Sequence, residues 1–293
     1  MGEGESNIET GTIVKGVGGF YTIRTDSGKV CTIRARGRFR ISGVTPLVGD
    51  RVRFRLESGM MTEVLPRLSC LARPSVANAT LGLIVASLKS PDASYPLLDK
   101  MLIQNGASGL KSAICFNKAD LADKGQIAEV KDIYKGAGAD LVFASVAYGE
   151  GLDEIERLLK GNTTIFSGVS GAGKSTIISK FCLDREIASQ EISRKLRRGK
   201  NTTRHAEIYV TGRGDYIVDT PGFSLLDLSL PADAVWKHYP EFYDYSDCRY
   251  RNCMHLSEPG CSVKAAVASG QINPIRFYSY QHITRGLKGA SGS

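Results

Sequence analysis

The chain has 293 residues, 42% of them hydrophobic, which is enough for two or three domains with cores of their own and too apolar for a disordered protein. Thirty-eight lysines and arginines against 30 acids leave a formal charge of +8, which favours a polyanionic partner, although a dispersed excess of that size also serves solubility. No apolar run reaches membrane-span length and no secretory leader is expected, so the cytoplasm is the expected compartment, with reduced cysteines and no disulfides expected.

Residues 1–8 read as a disordered tail. Over 9–66, five short β-prone segments (11–15, 20–24, 29–34, 51–55 and 61–65) are separated by Gly, Asp-Ser-Gly and Gly-Asp turns, which predicts an all-β barrel of the oligonucleotide-binding type. Arg34, Arg36, Arg38 and Arg40 alternate with smaller or apolar residues, as do Arg51, Arg53 and Arg55, so in extended chain each set lines one face. With Tyr21 or Phe39 nearby, such a face suits a phosphate backbone and stacked bases. Residues 67–80 read as a linker.

A central α/β domain is expected over 81–225. Strand 81–86 opens it, and helices around 95–104, 126–135 and 152–159 alternate with further strands, which predicts a mostly parallel sheet covered on both faces. The apolar segment 112–116 runs into Asn117-Lys118-Ala119-Asp120. At a strand's carboxyl edge, Asp120 can accept hydrogen bonds from both the guanine N1–H and the exocyclic amine, a donor pair that adenine lacks. The motif therefore argues for GTP over ATP. Segment 143–145 closes another strand, and a backbone N–H of Ser145 or Val146 is placed to meet the guanine oxygen.

The β-branched run 163–167 leads into Gly168-Val169-Ser170-Gly171-Ala172-Gly173-Lys174-Ser175-Thr176 and a helix over 174–181, the strand, glycine loop and helix of a phosphate-binding loop. Its glycines admit the phosphates close to backbone N–H groups, and the helix N-terminus adds partial positive charge. Lys174 should neutralise the β- and γ-phosphates while the Ser175 hydroxyl coordinates Mg2+. Downstream, the basic stretch 197–205 holds the Thr that a switch loop places on Mg2+ and the γ-phosphate, with Thr203 the first candidate and Thr202 the second.

Strand 215–218 then enters Asp219-Thr220-Pro221-Gly222. Asp-x-x-Gly arises about once per chain by accident, so Asp219 and Gly222 draw their weight from that strand. Phe223 occupies the position where many switch GTPases carry a water-orienting Gln, and a phenyl ring has neither donor nor acceptor. His205 and Asn201 are the local candidates to supply the missing group beside Lys174 and Thr203. In chain order the base-reading motif comes first and the switch motif last. A compact domain whose termini lie close together tolerates such a permutation.

A mainly helical, aromatic segment over 226–286 contains Cys248-x4-Cys253-x-His255-x5-Cys261. Three thiolates and one imidazole form a closed tetrahedral set for Zn2+, a structural rather than a catalytic site. The aromatics around it (Trp236, Tyr239, Phe242, Tyr243, Tyr245, Tyr278 and Tyr280) read as a small core. Residues 287–293 read as a second disordered tail.

Taken together, the permuted motif order, the five-strand N-terminal region and the Cys3His segment closely resemble the bacterial ribosome small-subunit-dependent GTPase A family. The resemblance spans about residues 9–285 and is most specific from Asp247-Cys248 to Glu258-Pro259-Gly260-Cys261. It implies a multidomain protein with an OB-fold barrel, a circularly permuted P-loop GTPase domain and a zinc domain. Such a protein would hydrolyse GTP to GDP while acting, as a monomer, on the 30S subunit and its 16S rRNA late in assembly, stimulated by that subunit. One departure is Asn201, where the family usually carries His before its Thr pair. The rival readings are an RNA-binding scaffold with little hydrolysis and a P-loop ATPase or kinase, for which Asp120 would have no use.

Overall fold

The computed structural model describes residues 8–35, 44–72, 75–182, 207–219, 228 and 230–290. Ile8–Val17 (β1), Phe20–Thr25 (β2), Val30–Ala35 (β3), Arg51–Arg55 (β4) and Met60–Val64 (β5) close into a barrel in the order β1-β2-β3-β5-β4. Period-two alternation decides which side chains face in: Ile13, Ile23, Ile33, Val52, Phe54 and Met61 fill the interior, leaving Arg51, Arg53 and Arg55 between them on β4. The turn between β1 and β2 is made by Gly18 and Gly19, both at positive φ, a conformation that costs glycine nothing.

Two of the three β4 arginines are not free cations. Arg51 pairs with Asp26 and Arg53 with Glu63 on the barrel surface, while Arg34 lies 4.7 Å above the Phe20 ring. Residues 36–43, with Arg36, Arg38, Phe39 and Arg40, lie outside the described residues. The segment expected to be a plain linker holds a small hairpin, Cys70–Ala72 (β6) against Ser75–Ala77 (β7). Arg67 there grips the fully buried Asp50 in a two-pronged ion pair at 2.7 and 2.8 Å, tying the hairpin's approach to the barrel turn.

A six-stranded sheet follows, in the order β10-β9-β8-β11-β13-β12, formed by Leu81–Ser87 (β8), Lys111–Asn117 (β9), Ala139–Phe143 (β10), Thr163–Gly168 (β11), Glu207–Val210 (β12) and Tyr216–Asp219 (β13). β8 is buried along its whole length, as a central strand covered on both faces must be. β10 runs parallel to β9 and β13 parallel to β11, whereas β12, not anticipated from the sequence, is antiparallel to β13. The connecting helices are Tyr95–Ala107 (α1), Lys124–Tyr134 (α2), Leu152–Leu159 (α3) and Lys174–Phe181 (α4). A reciprocal capping box between Asp123 and Gln126 starts α2, satisfying two backbone donors that would otherwise be orphaned.

By contacts the chain divides into two compact units. One comprises Met1–Leu81, Glu156–Phe166 and Ser175–Pro221; the other comprises Gly82–Ile155, Ser167–Lys174 and Gly222–Ser293. The second unit ends in short 3-10 turns at Ala232–His238 and Pro240–Phe242, then Ser262–Ala268 (α5) and Pro274–Ala290 (α6). Tyr239, Phe242 and Tyr280 form its aromatic core, in mutual contact at ring separations of 5.1–5.3 Å, whereas Tyr243 and Tyr278, expected in that core, are exposed. Residues 287–290, expected to be disordered, continue α6. Among the described residues no helix is long and apolar enough to cross a membrane.

Candidate functional site

The loops that follow β9, β10 and β11 leave their strands at the carboxyl ends, and within the second unit they meet. Asn117 is the joint. It ends β9 with its amide 5% exposed, donating through Nδ2 to the Ala172 carbonyl of the glycine loop at 2.9 Å and accepting the Val146 N–H on Oδ1 at 3.2 Å. One buried carboxamide, with a donor and an acceptor on the same fork, thus ties three loops far apart in sequence. Beside it Ser145 donates its hydroxyl to the Asp120 carboxylate, leaving that carboxylate's remaining lone pairs for a ligand.

Lys118, which opens the turn holding Asp120, sits at φ +59 and donates its ammonium to the Ser90 carbonyl in the loop ahead of α1. The glycine loop is closed by sterics as much as by bonds. A Cβ on Gly173 would lie 2.2 Å from Asn117 Nδ2, and one on Gly168, at φ +146, would lie 2.1 Å from the Val85 carbonyl oxygen. Ser170 and Gly171 form the turn between these points, and Lys174 starts α4, with Ser175 and Thr176 next in its first turn.

Both backbone donors expected near the guanine oxygen already have partners. The Ser145 N–H donates to the Glu150 carbonyl at 3.1 Å and the Val146 N–H to Asn117, so Val146 can meet a guanine oxygen only as a shared donor. Within the first unit, Asp219 ends β13 opposite Phe166 of β11, two residues before Gly168. Asn201, Thr202, Thr203, His205 and Gly222 lie outside the described residues.

The second chemical centre is also assembled. Ligand atoms of Cys248, Cys253, His255 and Cys261 all lie within 4.8 Å of one another, with His255 Nδ1 at 3.6 and 3.3 Å from the Cys248 and Cys261 sulfurs and those two sulfurs 3.9 Å apart. Zn–S bonds of about 2.3 Å in a tetrahedron put sulfurs about 3.8 Å apart, so the donor set fits zinc. Burial lowers the His255 pKa, favouring the neutral imidazole a metal requires, and pushes the Cys253 thiol up to about 12. A dication is what would make several thiolates stable there.

Glu258 was not assigned a role by sequence. Its carboxylate accepts the N–H groups of Met254, Leu256 and Ser257 at 2.8–3.0 Å, bracketing His255 at φ +55. The one available signal was an acid between the ligating His and the last Cys.

A glycine-rich loop opening a helix, an Asn-Lys-x-Asp loop and their permuted order on an α/β sheet, together with a five-stranded barrel, define a circularly permuted GTPase with an appended Cys3His module. Sequence models of the RsgA N-terminal domain and of the RsgA GTPase match residues 10–62 and 64–229, and the chain belongs to the RsgA GTPase family. It is 42% identical over 274 residues to the small ribosomal subunit biogenesis GTPase RsgA of Clostridium kluyveri, covering 92% of this chain and 95% of that one. The corresponding Clostridium beijerinckii protein is 41% identical over 275 residues, covering 92% and 94%. Among solved structures, YjeQ from Thermotoga maritima superposes with a TM-score of 0.82 at 29% identity, covering 97% of this chain and 99% of that one. YloQ, described as a circularly permuted GTPase, gives 0.80 at 28% identity and covers 99% of each chain.

Proposed function

We propose that this chain is a GTP hydrolase that acts on the small ribosomal subunit late in its biogenesis, binding 16S rRNA as a cytoplasmic monomer and turning over faster on the subunit. The observation that supports the nucleotide part is the Asn117 fork, which hydrogen-bonds its own loop to the glycine loop at Ala172 and to the Val146 turn. In this reading Asp120 accepts the guanine N1–H and amine, and the amides from Gly168 to Thr176 surround the phosphates with Lys174 on the β- and γ-groups. Ser175 and Thr203 would hold Mg2+, which would supply positive charge beside the phosphates, while Asp219 and Gly222 read the γ-phosphate. With Phe223 unable to orient water, Asn201 or His205 takes that task.

Cys248, Cys253, His255 and Cys261 hold a structural Zn2+ that fixes a loop otherwise bent at a left-handed histidine. The barrel and the C-terminal module supply the RNA-binding surfaces, with proposed boundaries at 9–66, 81–225 and 226–286. Arg34 over Phe20 is the kind of cation and ring pair that stacks on bases.

The test is GTP hydrolysis measured with and without purified small subunits over a salt series. Expected is slow turnover alone, stimulation by subunits, and loss of stimulation as salt rises because phosphate contacts release counterions. No turnover with subunits present would favour an RNA-binding scaffold, and equal use of ATP would favour an ATPase or kinase.

A further inference from the structure

The most deeply buried charges in the second unit take no part in binding nucleotide or metal. Arg276, in the first turn of α6, is 2% exposed. It donates to the fully buried Asp99 on α1 and, through Nε, to Glu241 at 2.6 Å. Its guanidinium lies 5.2 Å from the Tyr134 ring, at the end of α2, and 4.5 Å from the Tyr239 ring, whose hydroxyl donates to Asp99 at 3.2 Å. Replacing such a triad with apolar residues of equal volume is often neutral or stabilising, so bulk stability does not explain its presence. In some proteins such a buried, directional triad instead specifies one arrangement of the elements it joins.

Those elements lead to both chemical centres. One turn beyond Arg276 on the same helix, the Tyr280 hydroxyl donates to the Met254 carbonyl, between ligands Cys253 and His255, and its ring packs near the His255 imidazole. On the other side, α1 grows directly out of the loop whose Ser90 carbonyl receives Lys118 and whose Pro91 lies against Gly171 of the phosphate loop.

We propose that Arg276 is a positioning residue: by clamping Asp99 of α1 to Glu241 of the metal module, it makes guanine-nucleotide affinity depend on the metal held by Cys248, Cys253, His255 and Cys261. Metal loss frees the loop beneath Tyr280, α6 loosens, and α1 with the Ser90 carbonyl no longer holds Lys118 in one place. The inference rests on the nucleotide and zinc readings above, so zinc content and GDP binding are each measured directly.

The experiment titrates the full chain with a fluorescent GDP analogue, zinc-loaded and after zinc is stripped with a chelator that is then removed. In the parent protein zinc loss weakens GDP roughly 5–150-fold, the ordinary range of coupling between sites, and by linkage GDP tightens zinc by the same factor. The triple variant Arg276→Met, Asp99→Asn, Glu241→Gln conserves volume and keeps the Tyr239 acceptor. It binds GDP when zinc-loaded but changes less than twofold when zinc is removed. Glu241→Gln alone perturbs the fold least, and it lowers the zinc dependence while leaving GDP binding in the zinc-loaded state intact. A merely structural triad would leave the ratio of zinc-loaded to zinc-free affinity unmoved in these variants, whichever way their melting temperature shifts. Zinc-insensitive GDP binding by a parent protein shown to take up zinc overturns the proposal, as does a variant with the parent's full zinc dependence.

Discussion

Changing Asn117 to Asp exchanges an NH2 group for an oxygen with almost no change in shape. The Val146 N–H keeps its acceptor at 3.2 Å, but the other fork now sets a carboxylate oxygen 2.9 Å from the Ala172 carbonyl oxygen in a site 5% exposed to water. Leaving the buried Ala172 carbonyl without its donor costs about 1–3 kcal/mol, toward the upper end when the group that faces it is charged. The free protein relieves this by letting the phosphate and base loops part, and the nucleotide must then bring them back together. An expense of about 2–3 kcal/mol on binding corresponds to about 30–150-fold in Kd. A fluorescent GDP titration measures the affinity, stopped-flow dissociation shows whether the loss lies in release, and thermal unfolding checks the fold. If Asn117→Asp bound GDP within twofold of the parent, the fork would not be what unites the pocket.

Three further outcomes are expected. Asp120→Asn offers guanine one acceptor and one clashing donor pair, so it should lose GDP binding and gain affinity for xanthosine diphosphate, whose second ring carbonyl accepts the new amide; competition between the two nucleotides reads the switch. Gly168→Ala places a methyl 2.1 Å from the Val85 carbonyl at φ +146, so a destabilisation of about 3 kcal/mol or more is expected, and a melting temperature equal to the parent's would contradict the packing. In the barrel, hydrogen bonds from Arg51 and Thr10 hold the Asp26 carboxyl below the usual carboxylate range. Its folded value is thus below its unfolded one, so its contribution is complete above the ordinary range and fades as pH falls through the folded value. Because the pair is half exposed, Asp26→Asn should flatten the acid limb of stability by no more than about 1 kcal/mol, measured by urea unfolding from pH 6 to pH 2.

The chemistry-bearing loops were legible in the sequence because each is short and its function demands particular residue types in fixed spacing. In the proposed reading Gly168 to Ser175 expose backbone to phosphate and Asp120 presents two acceptors, while four ligand-type side chains within 14 residues have few other uses. Barrel strands were readable for the same local reason, since Val52 and Phe54 alternate with arginines on a pleat. What the sequence by itself determined was therefore the set of parts, their order and their chemical identity.

Only the tertiary structure decided which parts touch, because contacts between residues far apart leave no periodic trace along the chain. Nothing near Asn117 announces that its amide holds Ala172, 55 positions away, and nothing near Arg276 points to Asp99, 177 positions away. Strand β12 escaped notice because a four-residue edge strand becomes one only through its partner β13. The β4 arginines read as one cationic face until Asp26 and Glu63, contributed by other parts of the barrel, neutralised two of them. Local chemistry is written in neighbouring residues, whereas pairing across the fold is settled by where the backbone brings buried polar groups that must find partners.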